Sequence, residues 1–255
     1  MASTNGLKWL GNSEEWDGDG TFDCSPRALK EHFSQVYNYH GKIRNEKFPM
    51  VFSLMQKKDV AIYRRFLQVL KFNMKELGTP KKPFVIKVNH EGVMNSDMEK
   101  AVKIAEREEF PGAKKQNCNF HTRQRTQVVV RDSGLKRESF NNEEFNEDIR
   151  MIDAQCYLPP NLVKPVFKEL KKDLIQRKSK ALPVAENWSK YLINGYVNNK
   201  GDKIEPAWDP SEWSVYERVM RGRTRTTGKL EAWHRRLQAL FNRPHQTWRL
   251  SCHVG

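Results

Sequence analysis

The first half of the chain alternates between short segments of strand-like composition and longer segments with helical periodicity. Residues 33–40 and 49–55 are rich in aromatic and β-branched side chains, so each predicts a strand. The polar segment 41–47 between them begins with glycine and predicts a hairpin loop. Residues 83–89 predict a further strand, and the segment WDGDGT near the N-terminus contains the end of a first one.

Two helices are predicted between and after these strands. In residues 59–77 the apolar side chains recur at helical spacing, and Gly78 closes the helix. Residues 96–109 have the same period, with Ser96 as the N-cap and acidic residues in the first turn. The order of strands and helices favours an α/β fold with a mixed sheet.

The pattern changes after about residue 134. Residues 141–180 contain helical runs without strand alternation, and residues 195–209 form a connector containing Gly, Asn and Pro. Residues 228–242 predict a last helix, which Pro244 ends. We therefore expect a core in residues 1–137, an all-helical insertion in residues 138–215, and a final helix in residues 216–255 that completes the core.

The excess of basic residues bears on what kind of molecule the protein binds. The 255 residues carry 45 Lys and Arg against 31 Asp and Glu, a formal net charge of +14, which either a polyanionic partner or simple solubility explains. Seven Trp and thirteen Phe argue against disorder, and no window approaches the run of about 18 apolar residues that spans a membrane. Four scattered cysteines and the lack of an apolar leader favour a reduced, intracellular compartment.

Three acidic residues are candidate metal ligands. Asp19 lies with two further aspartates at the end of the first predicted strand, Asp97 opens the helix in 96–109, and Glu231 is the only acid between residues 218 and 236. Each acid also has a purely structural explanation. Asp19 could belong to a turn, Asp97 could interact with the helix dipole at a helix N-terminus, and Glu231 could pair with an arginine four residues later. If the three converge, carboxylate oxygens suit Mg²⁺, and two such ions about 4 Å apart stabilise phosphodiester displacement.

A C-x-x-H pair and two arginine-rich runs complete the candidates. Cys118 and His121 are either half of a structural zinc site, which His234 or His245 would complete, or a buried cysteine beside a capping histidine. The basic runs either solvate a helix face or contact nucleic-acid phosphates. The candidate phosphate contacts are Arg123, Arg125, Arg221, Arg223, Arg225, Arg235 and Arg236.

Several of these motifs, taken in chain order, resemble one family, the transposases of Mutator-like elements (MULE). The matching stretches include DGTF at 19–22, SDMEKAVKIA at 96–105, FPG at 110–112, CNFH at 118–121 and RTTGKLEAWHRRL at 225–237. The resemblance extends from about residue 16 to residue 248. It departs from the family pattern where residues 90–96 separate the predicted strand from the second acid, and where Thr227-Gly228 replaces a pair of asparagines.

The resemblance implies a DDE-type catalytic core with an RNase H-like fold. In that fold Asp19, Asp97 and Glu231 are the catalytic acids and hold two Mg²⁺ or Mn²⁺ ions, and Cys118 with His121 corresponds to the family's C-x-x-H element. The implied activity is cleavage and transfer of DNA strands, with transposon ends or genomic DNA as partner. A nuclear location and homo-oligomers are expected from the family as well.

The extent of the chain suggests which part of such a protein it represents. The chain starts just ahead of the first acid and stops soon after Trp248, so we expect a catalytic core, a truncated copy or a domesticated remnant. The alternative hypothesis is a catalytically inactive, transposon-derived DNA-binding protein that keeps the fold and the basic surface.

Overall fold

The structure is a computed structural model that describes residues 1–21, 32–44, 46–78, 92–96, 99–206, 208–223, 225 and 228–241. Within α-helical residues 228–241, the side chains at 228, 229, 231, 240 and 241 lie outside this description. The chain divides into a first unit, Met1–Lys115 with Thr227–Gly255, and a second unit, Gln116–Thr226. The segment predicted as an insertion, residues 138–215, falls within the second unit.

A mixed sheet of five strands organises the first unit. The strands are β1 (Glu15–Thr21), β2 (Gln35–Ile43), β3 (Glu46–Met55), β4 (Val93–Ser96) and β5 (Lys114–Asn117), in the spatial order β3-β2-β1-β4-β5. β1 and β3 both pair antiparallel with β2, and β4 pairs parallel with β1. The prediction of an α/β fold with a mixed sheet flanked by helices is confirmed.

The described part of the chain also contains eleven α-helices. They are α1 (Thr4–Asn12), α2 (Val60–Glu76), α3 (Lys100–Glu109), α4 (Asn119–Asp132), α5 (Glu138–Asn141), α6 (Glu143–Ala154), α7 (Pro160–Gln176), α8 (Leu182–Trp188), α9 (Pro210–Trp213), α10 (Tyr216–Met220) and α11 (Gly228–Phe241). The predicted helix at 59–77 is α2, where the Asp59 side chain accepts a hydrogen bond from the Ile62 amide at 2.8 Å and so caps the first turn. The predicted last helix is α11.

Three local predictions were wrong or fall outside the described residues. Ser96 is the last residue of β4 rather than an N-cap; α3 starts at Lys100, and the Ser96 hydroxyl donates to the buried Glu106 carboxylate at 3.1 Å. The predicted hairpin loop is shorter, because β2 continues to Ile43 and β3 already starts at Glu46. The strand predicted at 83–89 lies outside the described residues.

One face of the sheet carries an aromatic core. Trp16, Tyr37 and Tyr39 from β1 and β2 are buried on this face, where apolar side chains of α1, α2 and α3 join the same cluster. The ring centroids of Trp16 and Tyr39 lie 5.6 Å apart, and the Tyr39 hydroxyl donates to the Glu106 carboxylate at 2.9 Å. Burial in this cluster and the adjacent carboxylate raise the pKa of Tyr39 well above its usual value.

Gly18 gives these rings the space they occupy, so Gly18→Ala is expected to destabilise the first unit. An added Cβ would lie 2.7 Å from Cε1 of Tyr39 and closer still to the Tyr37 hydroxyl. Overpacking of this kind costs about 1–3 kcal/mol of unfolding free energy. Urea denaturation would measure the loss, with Gly112→Ala as the control because an added Cβ there meets nothing within 4 Å. Equal stabilities for the two variants would contradict the prediction.

The second unit is built from helices α4 to α10 and one small sheet. Its core contains Trp188 and Trp213, whose ring centroids lie 5.7 Å apart in an edge-to-face arrangement. β6 (Tyr196–Val197) and β7 (Lys203–Ile204) form a two-stranded antiparallel sheet, so the segment predicted to be all-helical contains a hairpin as well. Over the described ranges, no helix is long and apolar enough to cross a membrane.

Candidate functional site

The second face of the sheet is polar where β1 and β2 pair. Side chains alternate between the two faces of a strand, so Asp17 and Asp19 lie opposite to the aromatic core. Their partners in the β1–β2 register are His40 and Asn38. All four side chains are at least 95% buried, and a buried polar cluster at the centre of a sheet requires specific partners.

Asp17 is fully engaged with neighbouring strands. Its carboxylate forms an ion pair with Lys47 of β3 and accepts a hydrogen bond from the Asn95 amide of β4 at 2.9 Å. Lys47 also lies 3.9 Å from the Glu15 carboxylate. This network neutralises Asp17 and ties β1 to β3 and β4. Asp17 and Asp19 both lie within β1, with Asp19 near its carboxyl end, and Asp23, the third aspartate of the predicted cluster, lies outside the described residues.

Asp19 has a different set of partners, and one of them comes from α11. The Oδ1 atom of Asp19 accepts a hydrogen bond from the backbone amide of Gly20 at 2.8 Å, and Oδ2 lies 3.2 Å from Nδ1 of His234. The other ring nitrogen of His234, Nε2, lies 2.7 Å from the Asn38 amide nitrogen. Asp19, Asn38 and His234 thus form one buried group that joins β1, β2 and α11.

Further contacts seat α11 on this polar face. The Trp233 ring packs against Phe52 and His40, with centroid distances of 5.3 and 5.4 Å. The Gln238 amide donates to the Thr21 hydroxyl at 3.4 Å, one turn beyond His234. The helix therefore covers the sheet along β1 and its neighbours.

For the other two predicted acids, the structure gives only the positions of the elements next to them in the sequence. Glu231 belongs to α11, three residues before His234, but its side chain lies outside the described residues. Asp97 also lies outside them; it is the residue that follows Ser96, where β4 ends. The structure therefore puts β4 directly before the second acid, and residues 93–96 are part of that strand rather than an intervening segment.

His40 is a buried neutral imidazole beside the carboxylate group. It is 1% exposed, and neither ring nitrogen has a hydrogen-bond partner among the described residues. The pKa of His40 is lowered from 6.5 to about 3, chiefly by burial; the nearby His234 and Lys47 contribute to the lowering, while Asp19 acts in the opposite direction. The ring is thus uncharged at neutral pH.

This environment predicts an acid-sensitive contribution to stability. The folded pKa of His40 lies below the unfolded value, so the unfolded chain binds the proton more readily. The stability that the neutral His40 contributes is fully present above about pH 6.5. It is lost as the pH falls from about 6.5 towards 3, at about 1.4 kcal/mol of unfolding free energy per pH unit. His40→Gln should therefore show a shallower fall in unfolding free energy than the wild type between about pH 6.5 and pH 4.5. His32→Gln, at an exposed histidine, should keep the wild-type slope; parallel curves for wild type and His40→Gln would contradict the assignment.

The C-x-x-H pair lies at the start of α4, in the second unit. Cys118 occupies the N-cap position and is fully buried, and His121 lies in the first turn. Within the described ranges no group of three or more His, Cys, Asp and Glu is arranged to hold a metal ion. His245 lies outside those ranges, so the zinc site stays a prediction.

The predicted phosphate-contacting arginines divide between the two units. Arg235 and Arg236 are exposed on α11 of the first unit. The other five belong to the second unit, where all are exposed except Arg223, which is half-buried. Arg123 lies 3.5 Å from the Asp153 carboxylate, and the Arg225 guanidinium lies over the Tyr157 ring at 5.7 Å.

Arg218 differs from these exposed arginines, although it belongs to the same basic run. Its guanidinium is buried and donates to the Asn117 carbonyl at 3.0 Å and to the Arg225 carbonyl at 3.2 Å. The amide of Asn119 also donates to the Arg225 carbonyl, at 3.3 Å. Arg218 therefore joins the start and the end of the second unit rather than facing a ligand.

Sequence reasoning missed two members of the polar group, Asn38 and His40. The available signal was the N-x-H spacing in QVYNYHG, where polar side chains alternate with buried tyrosines. The sequence indicates His234 as part of the motif around Glu231 and as a possible zinc ligand, whereas its described partners are Asp19 and Asn38.

No protein-family model matches the chain, and no curated protein is significantly similar to it. The functional interpretation therefore depends on the motifs and on the geometry of the first unit.

Proposed function

We propose that this chain is the catalytic core of a MULE-type transposase, which cleaves and transfers DNA strands. The observation that carries the proposal is the contact between Asp19 and His234. It places α11, the helix that includes Glu231, against the strand that includes Asp19. Sequence motifs alone predict both acids, which are 212 positions apart in the chain.

The RNase H-like arrangement is part of this proposal. It is supported by an antiparallel β1–β2–β3 meander that continues through a parallel β4. It is also supported by the end of β4 directly before Asp97. Ligands in open α/β sheets commonly bind at the carboxyl ends of such strands.

The residues present fit a hard divalent cation. Asp19 supplies carboxylate oxygens, which Mg²⁺ and Mn²⁺ prefer, whereas Asp17 is neutralised by Lys47 and is not a candidate. Asp19, Asp97 and Glu231 would hold two ions, and when bound these ions would polarise the phosphodiester and activate the attacking oxygen. In the described part of the site, the Gly20 amide and His234 fix the carboxylate of Asp19.

DNA is the proposed partner because the exposed arginines are concentrated in the two motif-bearing runs. Arg235 and Arg236 lie on α11 just beyond Glu231, where they would contact phosphates next to the acids. Phosphate contacts of this kind make binding strongly dependent on salt.

Nicking of supercoiled plasmid by the purified chain tests the proposal. We expect relaxed product with Mg²⁺ or Mn²⁺ and none with a chelator. Salt-dependent DNA binding without metal-dependent nicking would instead support the inactive, transposon-derived DNA-binding protein. If the chain neither binds nor nicks DNA, both the transposase function and the DNA-binding alternative are contradicted.

A further inference from the structure

His234 is held on both sides of its ring. It is 6% exposed, and its two nitrogens contact Asp19 and Asn38 at 3.2 and 2.7 Å. Because the Asn38 amide nitrogen is a donor, Nε2 of His234 accepts that hydrogen bond. The ring hydrogen is therefore on Nδ1, which donates to the Asp19 carboxylate.

The carboxylate of Asp19 is oriented by two donors. Oδ2 receives the His234 hydrogen bond and Oδ1 receives the Gly20 amide, so rotation about the Cβ–Cγ bond would break both. A carboxylate oxygen has two lone pairs, so an oxygen that accepts a hydrogen bond is also able to bind a cation. Hydrogen-bonded partners of this kind orient the ligands of metal sites.

We propose that His234 is a positioning residue for metal binding by Asp19. It fixes the rotation of the carboxylate, and it sets the separation between β1 and the helix that includes Glu231. This inference rests on the proposed function, since it concerns the same acids. It assigns to α11 a second role: the helix provides an acid and also holds the acid of β1.

A simpler explanation is that His234 only attaches α11 to the sheet. Gln238 provides the matched comparison, because it bonds the same helix to the same strand through Thr21 without contacting a carboxylate. If attachment were the whole role, Gln238→Leu would have the same effect on metal affinity as a change at His234.

Three variants separate these explanations. In His234→Asn the side-chain amide takes the position of Nδ1 and is able to donate to Asp19. In His234→Gln the amide takes the position of Nε2 and reaches towards Asn38 instead. Mn²⁺ affinity of the full chain without DNA, measured by electron paramagnetic resonance, is the readout. We expect His234→Asn and Gln238→Leu to remain within about threefold of the wild type, and His234→Gln to bind about 10–100-fold more weakly.

Two outcomes overturn the inference while the proposed function stands. One is wild-type affinity in His234→Gln; the other is an equal loss in Gln238→Leu. If wild-type protein neither binds Mn²⁺ nor nicks DNA, the proposed function itself fails, and this inference fails with it. Nitrogen-15 NMR of the wild-type histidines gives a test that needs no variant to fold: we expect Nδ1 of His234 to be protonated and Nε2 not, and the opposite tautomer overturns the inference.

Discussion

Asp19→Asn is expected to reduce metal-dependent DNA nicking on the order of a thousandfold or more. The amide has the same shape as the carboxylate and keeps an oxygen for one of the two donors, so the fold should survive. It removes the negative charge, however, and replaces one of the oxygens that would bind a cation. Initial rates on supercoiled plasmid with Mg²⁺ and with Mn²⁺ would measure the loss.

The control for this change is Asp132→Asn, at an exposed carboxylate of α4 that pairs with its neighbour Arg131. It should nick DNA at the wild-type rate. Asp97→Asn and Glu231→Gln should lose as much activity as Asp19→Asn, because the proposed chemistry needs all three acids. Wild-type activity in Asp19→Asn would refute the assignment of the first acid.

Lys47→Met is expected to lower the unfolding free energy by about 3–5 kcal/mol. The Lys47 side chain is 5% exposed and the Asp17 side chain 1% exposed, so the change leaves an uncompensated charge in the interior. The Asn95 amide would remain as a hydrogen-bond donor to Asp17, but an amide carries no net charge. Chemical denaturation at neutral pH would measure the loss.

A second substitution tests whether the charge is the cause. Asp17→Asn combined with Lys47→Met removes both charges, and we expect it to recover much of the lost stability. Lys42→Met serves as the control, because Lys42 is the cross-strand neighbour of Lys47 and has no described ion pair. A loss below about 1 kcal/mol in Lys47→Met would show that the ion pair contributes little.

The sequence predicted those elements whose local signals agree. In α2 the capping Asp59, the apolar period and Gly78 all indicate the same helix, so the structure confirms it almost to the residue. At Ser96 the local signals are ambiguous, because a serine followed by acids is typical of a helix start. Tertiary contacts determine that Ser96 belongs to a strand, because Val93–Ser96 pairs with β1.

The candidate site was only partly predictable for a similar reason. A sequence motif predicts Asp19 as a site residue. Asn38 and His40 belong to the site only because the β1–β2 register places them opposite Asp19 and Asp17. Register cannot be read from the composition of a strand. Asp97 and the side chain of Glu231 lie outside the described residues, so their convergence with Asp19 stays a prediction.

The contacts of Arg218 have a consequence for the order of folding. α11 must pair with residues as far away as Asn38, 196 positions earlier in the chain, and closing so long a loop costs entropy. The second unit, Gln116–Thr226, fills most of that interval. Segments close to its two ends are joined by the hydrogen bonds of Arg218 and by the bond between Asn119 and Arg225. If this unit folds first, it brings residues 117–119 and 225 together and leaves a much shorter effective loop for α11 to close. The polar face of the sheet would then be covered last, and the site would be complete only after the second unit has folded.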